Sequence, residues 1–390
     1  MTPAARIQAA IEILDQILSG KPAEQALTGW ARRSRFAGSK DRAAVRDHVF
    51  DALRCKRSFA ARGGGETGRG IMLGACLAAG IDPESWFTGI GHAPDQLNEQ
   101  ERSAGREPMV GPELLDLPDW LWPSISASLG DRIETAARAL QTRAPVHLRV
   151  NTARSSVADA QSALLDEGIT TKPHPACETA LEITEGQRRL RQSRPYLEGV
   201  VELQDAASQA VVEALPLSPG MRVLDYCAGG GGKALAMAAH NGIEVFAHDA
   251  SAQRMKDLPA RADRAGSSIK ILSTNEVRRA APFDLILCDV PCSGSGSWRR
   301  APEGKWRLTP DALDRTCAVQ AEILEEVAPL ITPQGVLAYA TCSVLDAENG
   351  DQVTAFLARN PEWAAQWQQR WLMDEGTDGF FSAHLTRGYG

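Results

Sequence analysis

The strongest constraint on this chain lies beyond residue 221, where five short apolar segments, MRVLDYC, IEVFAHD, IKILS, FDLILCD and GVLAYATC, alternate with helical patterns at 232–240, 251–266 and 310–330. Such a rhythm predicts a doubly wound, mostly parallel sheet with helices on both faces. Ligands of these sheets bind at the carboxyl ends of the strands. Thr309-Pro310-Asp311 supplies a cap, a first-turn proline and an early acid for the last helix. With 390 residues, 43% hydrophobic and 23% charged, the chain has room for this sheet and for one or two further domains.

The region before the sheet reads differently. Thr2-Pro3 predicts a helix start, and Ile7, Ile11, Leu14 and Leu18 follow at helical spacing to Gly20. Further helical patterns cover 40–60 and 71–80, interrupted by ARGGGETGRG at 61–70. That stretch lacks the Lys-Ser/Thr ending and the preceding strand of a phosphate loop, so it reads as a flexible connector. The periodless 93–112 reads as a linker. After it, LPDWLWPSI, helical ETAARALQTR, strand-like VHLRVN at 146–151, a helical 155–167 and an alternating 179–203 predict a small α/β unit. No stretch approaches about 18 uninterrupted apolar residues, and the N-terminus alternates too closely for a signal peptide, so a cytoplasmic protein is expected.

Charge and cysteines narrow the chemistry. The net charge of −7 argues against a wholesale polyanion-binding surface, yet Arg32 to Arg69 holds eleven Lys/Arg against four acids. That patch is either a phosphate-binding surface or a solvated helix face. The eight cysteines form no CxxC pair and no His cluster accompanies them, so no metal is expected.

At the predicted carboxyl rim, Asp225 ends a strand and Gly229 to Gly232 make the turn into a helix, where glycines let a ligand approach the backbone. The next strand ends at Asp249, where a ribose-binding carboxylate belongs, so a nucleoside cofactor is expected, with NAD still open on these residues alone. Two cysteines reach the same rim: Cys292 follows the strand ending at Asp289, and Cys342 follows GVLAYAT. A structural thiol more often lies mid-strand, as Cys288 does.

The segments DYCAGGGGK, DVPCSGSGSWRRAPEGKW and YATCSVLDAEN resemble the motifs of the RsmB/NOP2/Sun family of RNA 5-methylcytosine methyltransferases, and LRVN, GVVELQDAASQ and DGFFSAHL extend the resemblance over about the C-terminal two-thirds. More weakly, the N-terminal region resembles a NusB-like helical domain. The resemblance implies an α/β, Rossmann-like class I methyltransferase domain at 206–390, preceded by a small RRM-like α/β domain at 112–205 and an all-helical NusB-like RNA-binding domain at 1–104.

The resemblance also implies S-adenosylmethionine as cofactor and methylation of carbon 5 of an unpaired cytosine in RNA, ribosomal RNA first; a monomer with no membrane or metal partner is expected. Carbon 5 is a poor nucleophile until a thiolate adds at carbon 6. By similarity Cys342 is that nucleophile, Cys292 the thiol that helps release the product, Asp289 the acid on the base, and Lys233 a neighbouring catalytic lysine. Because Cys292 follows a proline, as the nucleophile of DNA cytosine methyltransferases does, the reverse division of roles stays open. The same similarity puts Cys227, Ala228, Gly229, Gly231, Asp249, Gln204, Asp205 and Ser208 around the cofactor, with Asn275 where the family has an acid. Arg299, Arg300, Lys305, Trp306 and Arg307 are expected to meet RNA, the cations on phosphates and the indole on a base. Trp363, Trp367 and Trp371 recur every four residues and read as helix packing. The rivals are a non-catalytic RNA-binding or assembly factor and a methyltransferase for tRNA, protein or a small molecule.

Overall fold

Thr2 accepts the Ala5 backbone N–H at 3.2 Å and Pro3 opens the first helix, Pro3–Leu18, of the computed structural model, which describes residues 1–388. The chain divides into two units: Met1–Arg143 with Trp298–Leu308, and Ala144–Ser297 with Thr309–Gly390. Among the described residues no helix is long and apolar enough to cross a membrane.

The first unit is helical. Ile7, Ile11 and Leu14 of Pro3–Leu18 pack against Val45, Val49 and Leu53 of Ser39–Arg54 and Ile71 of Gly68–Ala78. The glycine-rich 61–70 is no flexible connector. A Cβ on Gly63 would lie 1.7 Å from the Gly70 carbonyl oxygen, and one on Gly74 would lie 1.8 Å from that of Phe59. Glycine is needed there because the helices Lys56–Arg62 and Gly68–Ala78 touch backbone to backbone. The presumed linker is likewise structured: Asn98 caps the helix Glu99–Ala104, and Glu101 pairs with Arg69 at 2.5 Å. By its contacts this unit also takes in the helices Trp122–Leu129 and Ile133–Leu140. Of the eleven basic residues between Arg32 and Arg69, six (46, 54, 56, 57, 62 and 69) pair with acids, which leaves less free charge than the composition implies.

The second unit opens with an antiparallel four-stranded sheet of β1 (Val146–Val150), β2 (Thr170–Pro173), β3 (Ala180–Glu185) and β4 (Val201–Leu203), in the order β2-β3-β1-β4. Leu148, Val150, Leu181 and Ile183 form its apolar face and pack on Ala160 and Leu164 of the helix Val157–Asp166. The predicted parallel sheet follows: β5 (Arg222–Asp225), β6 (Glu244–Ala247), β7 (Ile269–Ile271), β8 (Phe283–Asp289) and β9 (Ile331–Thr341). The antiparallel hairpin β10 (Trp363–Trp371) and β11 (Phe380–Arg387) closes one edge, giving the order β10-β11-β9-β8-β5-β6-β7.

The tryptophan stripe is thus a strand, not a helix; spacing of four fits a helix turn and also one face of a strand. An irregularity in register between Ala365 and Trp367 then splits the set. Trp363 packs with Phe356 on one side of the sheet, while Trp367 and Trp371 pack in the core on the other.

Candidate active site

Asp225, Asp289 and Thr341 end three adjacent strands, in the order β5-β8-β9, so the loops that follow them converge on one rim. These loops and the segment 204–208 enclose a cavity of about 470 Å³ lined by Gln204, Ser208, Asp225, Cys227, Ala228, Gly229, Gly230, Gly232, Lys233, Arg254, Asp289, Val290, Pro291, Cys292 and Cys342. The cysteine sulfurs stand 3.3 Å apart. Lys233, from the first turn after the glycines, donates to Asp289 at 2.6 Å and lies over the Phe380 ring. Burial works against its charge, and the Asp289 carboxylate more than offsets it, so its pKa rises. Contact with Cys342, then burial, pushes the Cys292 thiol well above its ordinary range.

The glycine turn shows why it is glycine. Gly229 and Gly231 have φ of +52° and +78°, and a Cβ on Gly231 would meet Leu258 at 2.3 Å. Asp249 Oδ2 accepts the Gly229 N–H at 2.9 Å, Oδ1 accepts that of Ser251, and Arg254 pairs with the same carboxylate at 3.2 Å.

Of the residues expected around the cofactor, Gln204, Ser208, Cys227, Ala228 and Gly229 line the cavity. Gly231 and Asp249 do not line it; Gly231 belongs to the turn and Asp249 holds the turn through the Gly229 N–H. Asp205 is committed to structure: it caps the helix Ala206–Glu213 and accepts from Ala207 N, Asp378 N and His147 Nδ1. Asn275 is exposed in the helix Thr274–Ala280 and does not line the cavity.

The expected RNA strip needs correction. Lys305 is 1% exposed and donates to the Arg54 carbonyl at 2.8 Å, and burial brings its pKa down to about 8. Arg299 is 3% exposed, and its own carbonyl accepts from Arg54. Trp306 donates its indole N–H to the Leu53 carbonyl at 2.7 Å and carries the Lys56 ammonium over its ring. The Lys305 and Trp306 side chains pack within the helical unit, to which Trp298–Leu308 belongs. Arg300 and Arg307 are exposed, and Arg307 pairs with Glu303. One metal-like group, His147, His174 and Glu182, has ligand atoms within 4.8 Å of one another. His147 Nδ1 meets Asp205, His174 Nδ1 accepts the Ala176 N–H and Glu182 pairs with Lys172, while His147 Nε2 is buried without a hydrogen-bond partner.

Sequence reasoning used Asp225 only to mark a strand end. Asp225 is 1% exposed, and no side chain donates to its oxygens, which lie towards the Ala234 backbone N–H. Burial, then the Asp289 charge, pushes its pKa up to about 7. A buried carboxylate lining a cavity with no side-chain donor on it fits a cationic ligand.

Comparison with known proteins bears on what this cavity serves. Residues 212–386 match the family model for 16S rRNA methyltransferase RsmB/F, and residues 117–188 match the ferredoxin-like domain of RsmF/B-like methyltransferases. The chain belongs to the RsmB/F methyltransferase family. Ribosomal RNA small subunit methyltransferase B of Xanthomonas campestris is 33% identical over 290 residues, covering 69% of this chain and 66% of that protein. The Vibrio cholerae protein of the same name is 32% identical over 283 residues, with 69% and 65% covered. The matched region thus spans just under two thirds of these relatives. The fold is that of the crystal structure of PH0851 (TM-score 0.75, 23% identity, 99% of each chain) and of NSun6 from Pyrococcus horikoshii with SFG (0.63, 17% identity, 70% of this chain and 99% of that one). The expected architecture of a helical region, a small ferredoxin-like sheet and a Rossmann-like methyltransferase sheet is therefore the observed one.

The cofactor of this family member is S-adenosylmethionine, and the cavity fits it. The residues that would hold it are the glycine turn, which leaves room against the backbone, and Asp225, whose carboxylate would suit a cationic group. A test of this pairing follows from linkage. The raised pKa means that the free protein holds a proton on Asp225 up to about pH 7. A bound cation favours the ionised form, so binding expels that proton. Affinity for S-adenosylhomocysteine should therefore rise about tenfold from pH 6 to 8 by calorimetry. Asp225→Asn should bind more weakly and flatten the profile; an unchanged slope would remove Asp225 from this role. The free protein should lose stability as pH climbs from the ordinary carboxyl value of 3.8 towards 7, because the folded state then binds more protons than the unfolded one.

Proposed function

We propose that the chain methylates carbon 5 of an unpaired cytosine in RNA, with small-subunit ribosomal RNA as the substrate. The observation that carries this reading is the pair of sulfurs, 3.3 Å apart, on the wall of the cofactor cavity beside the Lys233–Asp289 pair. A methyltransferase for oxygen, nitrogen or protein substrates has no use for two thiols there; cytosine carbon 5 does.

When bound, S-adenosylmethionine supplies an electrophilic methyl group. Cys342 adds as thiolate to carbon 6, and the electron pair this releases into the ring makes carbon 5 nucleophilic. Asp289, held by Lys233, is placed to hydrogen-bond the base and support its transient protonation. After transfer, carbon 5 carries both methyl and proton. Cys292 takes that proton, the carbon 5–carbon 6 double bond re-forms, and Cys342 leaves as thiolate.

The electrostatics support this order. Cys292 is held protonated first by its contact with Cys342 and then by burial. Once Cys342 is bonded to carbon that contact is gone; Cys292 then gives its own proton to solvent and, as thiolate, takes the proton of carbon 5. A target base must leave any stack to reach the cavity, at a cost of a few kcal/mol, which favours an unpaired site.

The test is product analysis. RNA incubated with the protein and methyl-labelled cofactor, then digested to nucleosides, should yield 5-methylcytidine by mass spectrometry. Label on another base or on protein would replace this reading with one of its rivals.

A further inference from the structure

The residue after each cysteine is a serine, Ser293 and Ser343, and both serines meet one acid. Glu348 is 0% exposed and lies at the end of the short turn Asp346–Glu348. Its Oε2 accepts the hydroxyls of Ser293 and Ser343. Its Oε1 accepts the Ser293 N–H at 2.7 Å and the Gln320 amide at 3.1 Å. Four donors thus converge on two oxygens, an arrangement a buried carboxylate needs and a neutral side chain does not supply.

The surrounding bonds stiffen this node. Gln320 also donates to the Pro291 carbonyl, Tyr339 donates to the Glu348 carbonyl, and Asn349 donates to that of Ser343. Glu348 itself does not line the cofactor cavity.

We propose that Glu348 is a positioning residue that ties the Cys292 and Cys342 loops together and so sets the distance between the two sulfurs. The proposal deepens the cytosine methyltransferase reading and rests on it for the catalytic consequence. The geometric part stands apart from that reading, because a spacing of two thiols can be measured without RNA.

The measurement uses phenylarsine oxide, whose arsenic forms two As–S bonds to a close dithiol and releases its oxygen as water. The parent should be bridged between Cys292 and Cys342, with the Cys292→Ala variant as the control that cannot be. Glu348→Gln should keep cofactor affinity, bridge about tenfold more slowly, and lose about 10²-fold in kcat with little change in KM for RNA, because misplacement of about 1 Å costs that much. Ser343→Ala, a milder change, should move both readouts the same way, and the double variant should add little to Glu348→Gln. Bridging at the parent rate in Glu348→Gln and Ser343→Ala overturns the proposal. So does a loss of cofactor affinity as large as the loss of kcat, which would mark Glu348 as supporting the whole fold. Slowed bridging in a protein whose parent makes no 5-methylcytidine would instead sink the functional reading and leave the clamp in place.

Discussion

Cys342→Ala is expected to abolish methyl transfer, by about 10⁴-fold or more, and to form no covalent complex with RNA, because without its thiolate carbon 5 never becomes nucleophilic. Cys292→Ala is expected to be equally poor in turnover for the opposite reason. It should accumulate a thiol-stable protein–RNA adduct, since the carbon 5 proton has no base to take it and Cys342 cannot leave. The two variants differ only at sulfurs 3.3 Å apart, so an inactive pair with a single trapping member separates nucleophile from base. Denaturing gels of each variant with RNA and cofactor read the outcome directly. Adduct from Cys342→Ala instead would reverse the roles, as the proline before Cys292 allows. Absence of adduct from every variant, with no transfer by the parent, would favour a binding factor.

The second large effect concerns folding of the helical unit. Gly63→Ala is expected to lower its stability by about 3 kcal/mol, because the new Cβ would lie 1.7 Å from the Gly70 carbonyl oxygen and 2.7 Å from the Gly74 nitrogen. Both obstacles are backbone, so relief requires the helices to part. Restricting the unfolded chain at a glycine contributes only about 0.4–1 kcal/mol in the other direction, and packing wins. Gly65→Ala, two residues away, meets nothing within 4 Å and should be neutral or slightly stabilising. Urea unfolding followed by circular dichroism checks both. Equal, small effects at the two positions would restore the view of 61–70 as a flexible connector.

Much of the catalytic sheet was legible because its signals are local. Five apolar segments with intervening helical patterns became β5 to β9, and strand ends marked by Asp225, Asp289 and Thr341 led to the rim that holds both cysteines. The errors share a cause: each misread segment carried a local signal that two structures satisfy. Tryptophans four apart suit a helix or a strand. Glycines suit a loose loop or a tight helix contact. Lysine and tryptophan in DVPCSGSGSWRRAPEGKW suit an RNA strip or, as with Lys305 and Trp306, packing against helical residues far away along the chain.

Sequence alone determined the strand order of chemistry: which residues follow which strand, hence that two thiols, a lysine, an acid and a glycine turn share one edge. Local periodicity and the handed winding of α/β units are enough for that. Only the tertiary structure decided which charges are buried, because burial depends on partners far along the chain. It buried Asp225 at the cavity wall with no side-chain donor, brought Ser293 and Ser343 onto Glu348 from loops fifty residues apart, and turned Lys305 inward. No pattern of neighbouring residues encodes those outcomes, since each is settled by the desolvation of a charged group against the few donors or acceptors that the fold happens to bring to it.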